Sequence, residues 1–172
     1  MFMDEARFGR INRPVACWAP TGMRPVVDCQ MVREYIYAYG AVCPADGCLV
    51  SLILPTMQTE CFERFTVEIG ARHPDELVVL VCDGAASHTT TTLALPDNVR
   101  ILTLPPYSPE LNPTEQLWDL IRERWFSNTT HHSLDAVEDH LAQALRQLEH
   151  EPTTIASLTQ RAWITPPNMT AN

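Results

Sequence analysis

A five-stranded mixed α/β sheet flanked by helices, with an antiparallel hairpin first and parallel strands after it, is the fold class this sequence predicts. Three observations predict it. "REYIYAYGAVC" and "CLVSLILP" are two strand-like runs joined by the turn "PADG", which reads as a hairpin. "ELVVLVCDG" and "VRILTL" are unbroken apolar runs with a short helical stretch between them, the pattern of parallel strands buried on both faces. After the last strand only helical periodicity remains, with Leu134, Val137, Leu141, Ala144, Leu145 and Leu148 on one stripe.

The elements follow in order. "MFMDEARFGRI" reads as a short strand with Asp4 near its centre, and "NRPVACWAPTGMRP" as a loop. The hairpin comes next. Residues 59–72 place Phe62, Phe65 and Ile69 at helical spacing, with Thr59 as the expected N-cap and Phe62 at N3. The run 77–82 is the strongest strand signal and stops abruptly at Asp83 and Gly84. "AASHTTTTLAL" is at most a short helix, because four threonines weaken it. "VRILTL" is expected to be another buried strand. Helices are expected over 114–126 and 134–150, and a short one near 155–161. Residues 1–150 thus form the expected domain, and 151–172 a C-terminal tail.

Between the last strand and the next helix, "LPPYSPELNP" holds four prolines in ten residues. Fixed φ angles and missing donors exclude both helix and central strand there. Asn112 suits an N-cap and Pro113 the first helical position, which sets Glu115 at N3 on a stiff mount. Two plain readings compete: an acid at N3 suits the helix dipole, and Pro106 to Pro109 fits a partner's aromatic groove.

Composition narrows the classes. At 172 residues, 45% hydrophobic and 19% charged, the chain suits one soluble domain with a real core. No apolar run is long enough to cross a bilayer and nothing resembles a signal peptide, so a cytoplasmic location without a membrane partner is the default expectation. The net charge is −9, and all twelve cationic side chains are arginine, which argues against holding DNA by bulk electrostatics. Six cysteines contain no Cys-x-x-Cys pair, so reduced thiols are expected and zinc is not.

In such sheets functional groups collect at the carboxyl ends of parallel strands, where Asp83 sits. A mixed sheet with the first and fourth strands adjacent could gather Asp4, Asp83 and Glu115. Clustered carboxylates repel unless cations neutralise them, and oxygen-only ligands suit Mg²⁺ or Mn²⁺. Two such ions would form a clamp for in-line attack at a phosphodiester. Alternatives stay open on these residues alone: Asp83 as a turn residue, and Glu5 in place of Asp4, since strand neighbours face opposite ways.

"VCDGAASH" and then, after a further strand, "LPPYSPELNPTEQLW" resemble the catalytic domain of mariner-type transposases and their bacterial insertion-sequence relatives. "MDEARFG" and "WAPTGMRP" resemble that family's opening strand and Trp-Ala-Pro-x-Gly segment. The matches keep the family's order over roughly residues 1–127. The resemblance implies an RNase H-like fold and a DDE triad, carried over to Asp4, Asp83 and Glu115, using two Mg²⁺ or Mn²⁺ ions to cut DNA and join its ends. Glu115 lies 32 residues after Asp83, within the family's thirty-odd spacing. His88 also matches the motif, either bracing the loop after the strand or orienting a phosphate, against the plain reading of a surface helix residue. Asn112 is the expected cap, Trp118 is expected to pack the helix on the sheet, and Asp119 reads as a solvated acid.

Two departures matter. Gly84 stands where relatives often carry Asn. The helix-turn-helix modules that read transposon ends in the family are not in this sequence. The expectation is therefore a catalytic half acting on DNA (transposon ends and target), as a homo-oligomer, with the DNA-reading region on another chain. The competing expectation is a catalytically inactive or truncated remnant that acts only as an assembly or inhibitory partner.

Overall fold

In a computed structural model that describes residues 1–12 and 14–164, strand β1 (Phe2–Ile11) runs through the middle of a five-stranded sheet. The sheet order is β3-β2-β1-β4-β5, with β2 at Met31–Val42, β3 at Leu49–Leu54, β4 at Val78–Cys82 and β5 at Val99–Thr103. β1, β2 and β3 pair antiparallel, whereas β1–β4 and β4–β5 are parallel. The expected mixed sheet is therefore the observed one.

Alternation along β1 and β2 gives the sheet two apolar faces. Met3, Tyr39 and Ala41 turn toward α1 (Thr59–Arg72) and meet Phe62, Phe65 and Ile69. Ala6, Phe8, Ile36 and Ala38 turn the other way. They pack on α3 (Glu115–Arg124), α4 (Leu134–Glu149) and α5 (Pro152–Thr159). Ile155 of α5 is fully buried in that second cluster. The stripe read from 134–150 is the buried side of α4, capped by Ser133, whose side chain accepts from the Ala136 N–H.

Two local expectations are corrected, and a third holds. Thr59 is the first residue of α1 and not its cap; Gln58 precedes it with no side-chain cap bond, which moves Phe62 to N4. β5 is only half buried: Val99 is sealed, but Leu102 is 56% exposed. It is an edge strand, and the three later helices lie over β1, β2 and β3, so an apolar run did not imply cover on both faces. The stretch after β4 forms one helical turn only, α2 (Ala86–Thr89), as its threonines allow.

Close approaches depend on two glycines. Gly47 has φ +76 in the hairpin turn and lies against the Pro152 backbone, so the turn closes onto α5 only without a Cβ. A Cβ on Gly40, the partner of Asp4 across the β1–β2 pair, would stand 2.7 Å from the Trp118 ring. That gap seats Trp118 directly on the sheet beside Asp4.

Ahead of α4, His131 Nε2 lies 2.9 Å from His140 Nδ1, and both rings pack on Phe126. Burial, then the neighbouring His140 and His132, hold the His131 pKa below its usual 6.5. Arg10 and Gln30 face it only through its backbone, both donating to its carbonyl. Below pH 6.5 the unfolded chain takes up a proton that the folded ring resists, so this contribution to stability is lost as pH falls. We expect the melting-temperature advantage of wild type over His131→Gln to shrink between about pH 7 and pH 5. A pH-independent difference in thermal scans would count against it.

Candidate active site

The proline-rich segment ends in a fastening. A 3₁₀ turn (Pro109–Leu111) leads to Asn112, whose Nδ2 donates to the Met3 carbonyl at 2.9 Å. Thr114 Oγ1 donates to the Phe2 carbonyl, also at 2.9 Å. Both carbonyls belong to β1, which pairs with β4 only through Phe2 and Val81. Buried backbone acceptors need partners, and these two side chains supply them. The start of α3 is thereby tied to the strand that carries Asp4.

Asn112 also accepts from the Thr114 N–H at 3.2 Å, as an N-cap would. The turn that follows, however, uses i→i−3 bonds at Glu115, Gln116 and Leu117, and the α-helix proper opens at Glu115. Glu115 is thus the first helical residue rather than N3. Prolines at 109 and 113 remove donors and tighten the entry. Ahead of it, Tyr107 stands fully exposed with φ +58, an unusual backbone for an aromatic residue.

Asp4 lies on the α3 face of β1. Trp118 Nε1, one turn beyond Glu115, donates to Asp4 Oδ2 at 2.8 Å. Burial raises the Asp4 pKa to about 7; the Trp118 bond opposes this, and the Glu5 and Glu115 charges add to it. Glu115 is likewise raised, by burial and then by Asp119 and Glu110. Asp4 and the first turn of α3 have been brought together, and the cost is a carboxylate that water no longer stabilises.

Asp83 follows β4, and the register Phe2↔Val81, carried two residues on, sets it beside Asp4 along the sheet. Its side chain turns elsewhere. Asp83 Oδ1 accepts from the Ala85 N–H at 3.1 Å and lies 2.8 Å from His88 Nδ1. His88 Nε2 in turn meets Glu5 Oε1 at 2.7 Å, on the α1 face. His88 is buried, which excludes the surface reading, and its ring packs 4.3 Å from Phe62. Burial works against a charged His88 ring, but bonds to Cys82 and Glu5 and the Glu5 charge outweigh it and raise the pKa to about 11.

Alternation along β1 thus separates two acids. Asp4 goes to Trp118 and α3, while Glu5 goes to His88 and Asp83. The three candidate ligands, Asp4, Asp83 and Glu115, offer oxygen only, which fits a hard divalent cation. Among the described residues, no three His, Cys, Asp or Glu side chains are already gathered as a metal-holding group. Asp119 is exposed and lies 3.5 Å from Arg122.

The Trp118 bond to Asp4 was not anticipated from sequence. The signal was available: a buried indole N–H has to find an acceptor, and the acids of β1 were candidates.

A mixed β3-β2-β1-β4-β5 sheet with helices on both sides defines an RNase H-like fold. The chain belongs to the DDE superfamily endonuclease family, whose model matches residues 1–138. An uncharacterized Sinorhizobium fredii protein, y4pE/y4sA, is 38% identical over 130 residues, covering 75% of this chain and 96% of that protein. Among solved structures, the Mos1 transposase paired-end complex with the left transposon end superposes with a TM-score of 0.59 at 16% identity. That match covers 92% of this chain and 55% of the transposase, so the chain spans just over half the length of that relative. The catalytic domain of Mos1 mariner transposase alone gives 0.57 at 13% identity, covering 91% of this chain and 76% of that one. At such identities the likeness is one of fold. No helix among the described residues is long and apolar enough to cross a membrane.

Proposed function

We propose that this domain cuts DNA phosphodiesters and joins DNA ends as the catalytic part of a transposase, with Asp4, Asp83 and Glu115 holding two Mg²⁺ or Mn²⁺ ions. The observation that carries the reading is the fastening of α3 to β1 through Asn112, Thr114 and Trp118, which commits Glu115 to the neighbourhood of Asp4. A chain has little structural reason to bury Asp4 beside a second acid unless a cation is to join them. Mos1 paired-end complexes have been determined with Mn and with Mg, which supports the choice of ions.

Bound there, the ions would lower the pKa of an attacking water or 3′-hydroxyl and steady the leaving oxygen. The protein's own contribution is orientation. Trp118 fixes Asp4 Oδ2 and leaves the other oxygen unclaimed by that ring. His88 and the Ala85 N–H fix Asp83 Oδ1. The proline strut keeps Glu115 from swinging away when two like charges meet.

DNA, as transposon ends and target, is the proposed substrate, following the DNA in the Mos1 complexes. With a net charge of −9 these residues lack bulk electrostatic attraction for DNA, and a helix-turn-helix region of the kind the family uses would supply that affinity. A homo-oligomer on DNA is the proposed working form. The exposed Trp18, Met23 and Val26 between β1 and β2 offer apolar surface for such an assembly.

One observation favours the second reading, a folded but inactive assembly partner: no ready metal-holding group is present among the described residues. Incubation with Mn²⁺ and a linear duplex separates the two, comparing wild type with Glu115→Gln. Mn²⁺-dependent nicking by wild type alone supports the enzyme. Equal product from both proteins, or none from either, sinks it.

A further inference from the structure

We propose that Glu5 acts through His88 as a positioning residue that sets the direction of the Asp83 carboxylate. The inference rests on the reading of Asp83 as a metal ligand.

The Glu5 side chain is 4% exposed and the His88 side chain 1%. A carboxylate this deep is costly unless matched, and the only side chain that ion-pairs with it among the described residues is His88, at 2.7 Å. The other ring nitrogen does not point to solvent. It lies 2.8 Å from Asp83 Oδ1 and 3.3 Å from the Asp83 carbonyl. Carboxylate oxygens only accept, so an imidazole between two of them is satisfied when both nitrogens carry hydrogen. The tilted Phe62 ring at 4.3 Å leaves the imidazole little freedom to turn.

The consequence falls on Asp83, whose own side chain is 63% exposed. An exposed carboxylate at a strand end would ordinarily rotate among its rotamers. Here Oδ1 is claimed by His88 and by the Ala85 N–H, which leaves Oδ2 as the oxygen to offer outward. Partners of this kind around a ligand change metal affinity by roughly 10- to 100-fold. Glu5 and Asp4 are neighbours on one strand, so alternation gives the two acids different roles. Asp4 serves the α3 face, and Glu5 forms the brace beneath Asp83.

Two readouts on Glu5→Gln test this, one of them free of metal. In the metal-free protein, the Asp83 side-chain carboxyl carbon and the His88 ring nitrogens are followed by NMR. Both are expected to shift in the variant, because the Glu5–His88–Asp83 contacts are broken at their first link. In calorimetry with Mn²⁺ alone, the variant is expected to bind roughly 10- to 100-fold more weakly. Nicking of duplex DNA should recover at high Mn²⁺ to near the wild-type rate.

Unchanged Asp83 and His88 signals, or wild-type Mn²⁺ binding that the variant matches, would overturn the proposal. If wild type takes up no Mn²⁺ while the Asp83 signal still moves, the brace stands and the metal reading fails. If wild type and variant bind Mn²⁺ equally, the metal reading stands and the brace fails. Should Glu5→Gln not fold, His88→Gln still reports the Asp83 carboxyl signal and the Mn²⁺ affinity.

Discussion

Asp83→Asn is expected to abolish Mn²⁺-dependent nicking while leaving the metal-free melting temperature within about 2 °C of wild type. The substitution is nearly isosteric. The amide keeps an oxygen for the Ala85 N–H and for His88, so the turn after β4 should persist. It puts an NH₂ group in the place of Oδ2, and an amide nitrogen does not hold a hard cation. The loss of rate should exceed the roughly 100-fold that removal of an outer partner costs. Because the side chain is 63% exposed, little packing is at stake. Nicking by the variant at the wild-type rate would remove Asp83 from the site and assign the activity to a contaminant.

The second large effect is expected at Trp118. Its ring is 2% exposed, lies over Gly40 and meets Phe8 edge-on at 6.2 Å. Trp118→Ala should destabilise the domain by about 3–5 kcal/mol, because Gly40 has no side chain to fill the space. For a domain of this size that lowers the melting temperature by roughly 10 °C. Trp118→Phe separates packing from hydrogen bonding. It keeps most of the ring but removes the donor to Asp4 Oδ2, for a loss of about 1–2 kcal/mol and a weaker hold on the Asp4 carboxyl. Mn²⁺ calorimetry on the phenylalanine variant should then show reduced affinity in a folded protein. Identical thermal scans for both variants would mean that neither the cavity nor the hydrogen bond has been assigned correctly.

Much of this fold is legible in the chain itself. The hairpin, the strong β4 run ending at Asp83 and the α4 stripe depend on local periodicity, which residues carry themselves. The specific Pro-Pro-Tyr-Ser-Pro and Asn-Pro-Thr-Glu stretch points to the family. The half-exposed β5 is less legible, because a strand at the sheet edge and one in its middle can share the same apolar run. The entry to α3 differs from expectation by two residues for a similar reason. Capping rules describe a free helix end, whereas Asn112 also serves the Met3 carbonyl.

By itself the sequence determined the elements, the sheet's mixed character and the three candidate acids, since each follows from neighbours within a few residues or from a motif. Only the tertiary structure decided that Trp118 claims Asp4 and that His88 joins Glu5 to Asp83. The links from β1 to Trp118 and to His88 span more than eighty residues, and they depend on which face each side chain of β1 presents once β4 and α3 are packed against it.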